Sequence, residues 1–226
     1  MILLDRVTNE NARTYAFRVL LHNIVTLELV PGTSVSENEL SALLQVSRTP
    51  VREALIELNK MELVTILPQR GSYVAKIDYG LIEESRFMRL ALEIAVLKLI
   101  CEEGVSCDYL ELLRENIKLQ KEFLADENSR LDILQLDNDF HRTLFEAADK
   151  KRTYQTIHSQ MVHFDRLRFL SLKTVKDNKI VNDHENILYA LERGDSELAE
   201  MIMTRHLTRH RFEKAELCEK YPDYFA

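Results

Sequence analysis

The first helix is predicted where apolar residues recur every three or four positions, in "ARTYAFRVLLHNIVTLEL". The motif "VPG" at 30–32 is expected to end this helix, because proline cannot continue a helix and glycine permits a turn. The pattern therefore places one amphipathic helix near the start of the chain. Its expected buried stripe is Val19, Leu20, Ile24 and Leu27.

A second, short helix is predicted from "SENELSALL". Ser36 is followed three residues later by Glu39, and this spacing forms a capping box that marks a helix start. We expect Leu40, Leu43 and Leu44 to form the buried face of this helix. The residues "QVS" then predict a short turn before a third helix.

The third helix is predicted from "SRTPVREAL" and contains a proline near its start. Proline steers the preceding residue away from the helical region, so Thr49 is expected as the cap and Pro50 as the first helical residue. Arg48 and Arg52 leave one side of this helix, near an N-terminus that already attracts anions. The expected core stripe is Val51, Ala54, Leu55 and Leu58.

A hairpin is predicted next, because "LVTILPQRGSYVAKI" alternates apolar and polar residues on both sides of a turn with Arg70 and Gly71 at its tip. Glycine lets the backbone approach a phosphate or groove edge, and arginine suits a narrow minor groove. Ser47 and Thr49 add hydroxyls beside the third helix's arginines. Together these elements predict a winged helix-turn-helix that reads double-stranded DNA. The alternative is a solvated arginine pair and a routine hairpin.

The rest of the chain is predicted to be helical. From about Tyr79 onward the apolar residues keep helical spacing, and we expect six or seven helices, one of them broken at Arg193-Gly194-Asp195. The predicted fold class is therefore mainly α. It has a winged helix-turn-helix over residues 1–76 and an all-α bundle over residues 77–226.

Composition and charge fit two domains with different partners. The chain of 226 residues has a net charge of −7, yet residues 1–76 balance eight basic against eight acidic residues. The remaining 22 basic and 29 acidic residues lie in 77–226 and supply the whole deficit. No phosphate-binding loop, serine elbow, signal peptide or membrane span is recognisable, so a cytoplasmic protein is expected. Three cysteines without paired spacing suggest reduced thiols.

Four residues of the second domain predict a metal site. Asp137 and His141 are four residues apart on one helical face. His184 and His206 flank the break at Gly194 at similar distances, so a folded-back hairpin brings them level. An Asp-His-His-His set suits a divalent ion such as zinc, nickel or manganese. The alternative is that the histidines are solvated or hydrogen-bonded core residues, and His206 with His210 forms a competing pair at chance spacing.

The segment "PGTSVSENELSALLQVSRTPVREALIELNKMELVTILPQRGSYV" resembles the DNA-binding domain of GntR-family transcriptional regulators. The resemblance implies base contacts from Arg48 and Arg52, phosphate contacts from Ser47 and Thr49, and a wing contact at Gly71. Two positions depart from the family pattern. They are Asn38, where an arginine contact is frequent, and Glu62, where a glycine is common.

The segments "LDNDFHRTLFEAA" and "NDHENILYALERGDSELAEMIMTRHL" resemble the ligand-binding domain of the FadR/FCD subfamily of these regulators. The resemblance implies the same four metal ligands, and "RLALE" implies an effector contact from Arg89. The histidines argue against the branch that senses acyl-CoA, which lacks them.

These observations predict a homodimeric transcription regulator, and a repressor by analogy. Each protomer is expected to read one half of a pseudo-palindromic operator. A metal ion together with Arg89 would hold a small carboxylate that modulates DNA binding. Two other interpretations stay open at this point, a metal-responsive regulator without an organic effector and a metal-dependent hydrolase.

Overall fold

The computed structural model describes residues 1–124, 129–174 and 179–226, and most of them are helical. The chain divides into two compact units. Met1–Tyr79 and Glu216–Ala226 form the N-terminal unit, and Gly80–Ala215 form the C-terminal unit. The prediction of a mainly α protein with a small N-terminal sheet is confirmed. The predicted boundary after residue 76 stays a prediction, and the last eleven residues group with the N-terminal unit.

Helix α1, Ala12–Val25, packs against the later helix α3, Arg48–Lys60. Asn11 caps α1 by accepting a hydrogen bond from the Thr14 amide. The helix ends before the "VPG" motif, so the predicted stop signal was wrong. The amide and the hydroxyl of Thr26 both donate to the His22 carbonyl and close the last turn. Leu27 is buried as predicted, but it lies beyond the helix with a left-handed φ of 58°.

Helix α2, Glu37–Leu44, starts where the capping box predicted, with the Ser36 hydroxyl accepting from the Glu39 amide at 3.5 Å. Leu40 and Leu44 are buried, whereas Leu43 is 46 % exposed, so the prediction for Leu43 was wrong. Neighbouring residues on a helix point about 100° apart, and a short helix needs only one buried stripe.

Helix α3 begins earlier than predicted. Ser47 is the N-cap and Arg48 the first helical residue, so Thr49 does not cap the helix and Pro50 is third rather than first. The first turn of a helix has no intrahelical partner for its amides, so a proline is tolerated at any of these positions. The predicted core stripe is confirmed, since all four side chains are at most 2 % exposed: Val51, Ala54, Leu55 and Leu58.

A three-stranded antiparallel sheet completes the helix-turn-helix. Strands β2, Val64–Leu67, and β3, Gly71–Val74, form the predicted hairpin, with Leu67 paired to Gly71 beside the turn. Gly71 has a φ of 102°, a conformation that glycine adopts without strain. The two-residue strand β1, Ser34–Val35, pairs with the other edge of β3 and was not predicted. Glu62 has a φ of 57°, which explains why a glycine suits this position.

Helices form the C-terminal unit. The predicted break is confirmed, since one helix ends at Glu192, Gly194 has a φ of 66°, and Asp195 caps the next helix. The helices on either side of the break pack together, and three others pack against the helix that carries Asp137 and His141. In chain order, the helices that follow the sheet are α4 Tyr79–Glu103, α5 Cys107–Phe123, α6 Arg130–Ala147, α7 Lys151–His158, α8 Val162–Thr174, α9 Lys179–Glu192, α10 Ser196–Thr208 and α11 His210–Lys220. The last part of α11, from Glu216, groups with the N-terminal unit. Among the helices described, none is long and apolar enough to cross a bilayer.

The C-terminal tail belongs to the N-terminal unit. After α11, a single turn at Pro222–Tyr224 leads to Phe225, which forms a parallel bridge with Ile77. Backbone hydrogen bonds join the Ile77 amide to the Tyr224 carbonyl and the Ala226 amide to the Ile77 carbonyl. The Phe225 ring stacks on Tyr79 with centroids 5.3 Å apart. The tail is therefore a structural part of the unit that carries the helix-turn-helix.

Candidate functional site

The structure places the six residues predicted to contact DNA on the surface of the N-terminal unit. Four lie at the start of α3, where Ser47 is the N-cap and its hydroxyl makes no capping bond. Two lie at the turn between β2 and β3. An exposed helix N-terminus with cations and hydroxyls around it is suited to a phosphate backbone and to base edges. All six are exposed: Ser47, Arg48, Thr49, Arg52, Arg70 and Gly71.

The arginines at the start of α3 share one carboxylate. Arg52 donates two hydrogen bonds to Glu37, at 2.9 Å and 2.8 Å, and an Arg48 nitrogen lies 3.5 Å from the same side chain. These bonds, led by the one from Arg52, hold the pKa of Glu37 below its usual value. The carboxylate is therefore charged at neutral pH.

The structure brings the four predicted metal ligands together. Asp137 and His141 lie on α6, His184 on α9 and His206 on α10, and all four are buried. One ligand atom from each residue lies within 4.8 Å of every other. The hairpin at Gly194 produces this convergence, because the rings of His184 and His206 have centroids only 4.8 Å apart. The competing pair does not form, since His210 instead contacts Glu83 at 2.9 Å.

Several of the facing atoms in this cluster are potential metal donors. The Nε2 atoms of His141 and His206 are 3.2 Å apart. Nε2 of His141 lies 3.6 Å from Asp137 Oδ2, and Nε2 of His184 lies 3.6 Å from Asp137 Oδ1. The ring of His184 is further fixed by stacking on Phe140, with centroids 4.0 Å apart. The arrangement is therefore that of a donor set around a common centre.

Outer partners define the tautomers of two histidines. His141 Nδ1 lies 2.5 Å from Glu93 Oε2, and His184 Nδ1 lies 2.8 Å from Gln120 Oε1. Both partners are acceptors, so each Nδ1 donates and each Nε2 keeps its lone pair. In the described residues, His184 Nε2 is buried without a hydrogen-bond partner. An inward lone pair with an outer acceptor behind it is the usual arrangement of a metal-binding histidine.

Electrostatics keep this cluster in a form that can bind a metal. Burial lowers the pKa of His141 to about 4, and nearby Arg89 contributes. Burial, followed by the His206 charge, holds the pKa of His184 well below its ordinary value. Burial alone would raise the pKa of Asp137, but Arg168 and the histidines hold it far below its usual range. At neutral pH the imidazoles of His141 and His184 are thus neutral and the carboxylate of Asp137 is ionised, as metal binding requires.

Arg89 lies beside the cluster, and its effector contact stays a prediction. Its Nε donates to Glu93 at 2.6 Å, and its buried Nη2, 3.7 Å from Asp137, has no hydrogen-bond partner among the described residues. Burial would lower the pKa of Arg89, but Glu93 and then Asp137 raise it above its ordinary value, so the guanidinium stays charged. Arg89, Asp137 and His206 line one cavity of about 50 Å³, with apolar walls that include Leu167 and Leu207.

Sequence reasoning missed the outer partners. Glu93 follows Arg89 by four residues, so helical spacing could have indicated that pair. Gln120 lies on a different helix from His184, and no local spacing indicates it. Arg168 forms an ion pair with Asp137, and Asp183 lies 3.8 Å from His206 Nδ1. Burial would raise the pKa of Asp183, but His206 and Arg209 lower it to about 2.

A winged helix-turn-helix with exposed arginines, joined in one chain to a helical unit, defines a DNA-binding regulator. The chain matches the model of bacterial regulatory proteins of the gntR family over residues 15–74 and the FCD domain over residues 84–209. The chain belongs to the GntR family and carries an FCD domain. Members of this family act as transcription regulators, not as enzymes.

The names of similar proteins agree with this assignment. The chain is 35% identical over 216 residues to the HTH-type transcriptional repressor RspR of Escherichia coli strain K12, covering 93% of this chain and 92% of that protein. It is 27% identical to the Nta operon transcriptional regulator of Aminobacter aminovorans, over 82% of this chain and 86% of the relative. The function shown is therefore DNA-binding transcription regulation.

Solved structures show the same fold. E. coli McbR/YncC superposes with a TM-score of 0.74 at 18% identity, covering 94% of this chain and 99% of that one. A GntR regulator from Rhodococcus sp. RHA1 superposes with a TM-score of 0.71 at 22% identity, covering 92% and 98%.

Proposed function

We propose that this regulator is a cytoplasmic, homodimeric repressor whose C-terminal unit binds a divalent metal ion and a small organic acid. The observation that carries the proposal is the buried meeting of Asp137, His141, His184 and His206 within 4.8 Å. Binding of the acid would change the affinity for the operator by favouring one of two conformations. The repressor role is proposed from relatives, since RspR is named a repressor.

The donor set supports a borderline divalent ion. Imidazole nitrogens with one carboxylate oxygen suit zinc, nickel or manganese. When bound, the ion would supply positive charge that holds a carboxylate. The chain's own contribution is Arg89, whose buried Nη2 has no hydrogen-bond partner among the described residues. The cavity of about 50 Å³ has room for a small head group beside it.

The DNA-contacting residues support reading of a pseudo-palindromic operator. We assign base contacts to Arg48 and Arg52 in the major groove. Ser47 and Thr49 contact phosphates, and the turn at Arg70 and Gly71 contacts the adjacent groove. A homodimer follows from the proposal, because a two-fold protein matches two-fold half-sites.

Metal analysis tests the metal site. Purified protein should contain close to one metal ion per protomer, and His184→Ala should lose most of it while the protein still binds operator DNA. His158→Ala is the matched control, because His158 is exposed and lies outside the cluster. Unchanged metal content in His184→Ala would remove that residue from the site.

Operator selection tests the DNA contacts. Duplexes enriched from a random library by the native protein should be bound more weakly by Arg52→Ala, by about 1–3 kcal/mol, with base preference relaxed at one position per half-site. Arg13→Ala is the control, because Arg13 is an exposed arginine paired with Glu57. An equal loss of affinity for every sequence would make Arg52 a phosphate contact.

A regulator that responds to the metal alone is the second candidate. It is favoured by the ion pair between Asp137 and Arg168, which already occupies part of the cavity wall. Titrating zinc, nickel or manganese into an operator-binding assay, with and without a panel of small carboxylates, separates the two. A response to metal that no carboxylate changes would favour the second candidate.

A further inference from the structure

Glu37 is the first residue of α2 and faces the leading end of α3. Its two carboxylate oxygens each accept one hydrogen bond from Arg52. Nε donates to Oε1 at 2.9 Å and Nη2 donates to Oε2 at 2.8 Å. Two parallel bonds between planar groups fix the plane and the direction of the guanidinium, which one bond would not.

This pairing uses one edge of the guanidinium and leaves another free. The bonds engage the side edge, formed by Nε and Nη2. The end edge, formed by Nη1 and the second hydrogen of Nη2, has no part in them. Guanine presents O6 and N7 in the major groove to a fork of this kind. Glu37 therefore holds Arg52 with a base-reading edge available.

Exposure distinguishes this carboxylate from the side chains that it holds. The side chain of Glu37 is 26% exposed, while those of Arg48 and Arg52 are 59% and 58% exposed. Its place in the first turn of α2 also favours a negative charge. Exposed ion pairs contribute only about 0–1 kcal/mol to folding, so stability gives little reason for this one. The pair is better explained by what it does to the arginine.

We propose that Glu37 is a positioning residue that sets the DNA specificity of this regulator. It orients Arg52 for guanine. Where Arg52 lies next to a phosphate and no guanine is present, the negative charge of Glu37 weakens the binding of DNA. The inference rests on the base contact proposed above for Arg52. Without Glu37, the arginine would be free to pair with any phosphate, and DNA of unrelated sequence would be bound more tightly.

The test compares two DNA duplexes for the full-length protein. One is the duplex that the native protein enriches from a random library, and the other is a scrambled duplex of equal length and base composition. For Glu37→Gln we expect tighter binding of the scrambled duplex. The specificity ratio, which is the affinity for the enriched duplex divided by the affinity for the scrambled duplex, should be about tenfold lower, within the range of one bidentate guanine contact. An unchanged ratio would overturn the proposal, and this includes an equal gain in affinity for both duplexes.

A matched variant controls for net charge. Glu57→Gln removes the same charge from the same unit and breaks an exposed pair of similar length, with Arg13 at 2.8 Å. It should leave the specificity ratio within about twofold of the native value, since surface substitutions away from special features have small effects. A fall in the ratio as large as that of Glu37→Gln would show a general charge effect and overturn the proposal.

A double-mutant cycle shows whether Glu37 acts through Arg52. In the Arg52→Ala background, Glu37→Gln should no longer change the specificity ratio, because the side chain that it orients is gone. Effects that simply add would overturn the proposal. The cycle also separates two failures. If Arg52→Ala alone leaves the ratio unchanged, the proposed base contact is wrong, and if only Glu37→Gln leaves it unchanged, the positioning role is wrong.

Discussion

The ion pairs at the two candidate sites, one in each unit, differ in burial. In the N-terminal unit Arg52 faces solvent and is paired at the surface with Glu37. In the C-terminal unit Arg89 and Glu93 form an ion pair whose side chains are only 4% and 1% exposed. Surface pairs are weak and screened by salt, so they can be exchanged for a phosphate or a base. Buried pairs depend on every partner, and so they hold a site in one geometry.

The largest effect is expected from removing a buried partner. Glu93→Ala leaves the Arg89 guanidinium without its closest carboxylate and the His141 Nδ1 without its acceptor. We expect a loss of about 3–5 kcal/mol in the free energy of unfolding, measured by chemical denaturation. Metal affinity should also fall about 10–100-fold, because an outer partner orients the ligand. A free energy of unfolding for Glu93→Ala within about 1 kcal/mol of the native value, which is the size of effect expected for a surface pair, would contradict the comparison.

An intermediate case is Glu10 in the N-terminal unit. Its side chain is 5% exposed and accepts two hydrogen bonds from Arg18. The bond with Arg18 lowers the pKa of Glu10 to about 2, against the opposing effect of burial. The folded pKa lies below the unfolded one, so the pair stabilises the fold above about pH 4.5, and this contribution is lost as the pH falls towards 2. NMR titration of the carboxyl should show a midpoint near 2, and a midpoint near 4.5 would refute the pairing.

The smallest effect is expected for the exposed pair of Arg13 and Glu57, which are 55% and 40% exposed. A double-mutant cycle with Arg13→Ala and Glu57→Ala should give a coupling energy of about 0.2–1 kcal/mol, falling further in high salt. The same chemical denaturation assay used for Glu93→Ala makes the free energies comparable. A coupling that persists unchanged in concentrated salt would show that exposure does not govern the difference between the two kinds of ion pair.

Local periodicity explains which features could be predicted from sequence. The stripe that includes Val51 and Leu58 follows from helical spacing, and so does the pairing of Asp137 with His141 on one face. His184 and His206 could be matched because the glycine break lies about midway between them along the chain. In each case the information lies within one helix or one hairpin.

Contacts between distant segments could not be predicted in the same way. Gln120 is 64 residues from His184, and no pattern in either helix indicates the hydrogen bond between them. Strand β1 has two residues and forms only because β3 offers a free edge. The N-cap at Ser47 rather than Thr49 was missed because a helix tolerates proline at several first-turn positions. These features depend on tertiary partners rather than on local preference.

The docked tail has a practical consequence for dissecting the protein. A fragment cut after Tyr79 would lack Phe225, and with it the ring that stacks on Tyr79 and the tail backbone hydrogen-bonded to Ile77. Any truncation that removes Phe225 would therefore damage the unit that carries the helix-turn-helix. An affinity tag fused after Ala226 would have to emerge right beside the bridge between Phe225 and Ile77.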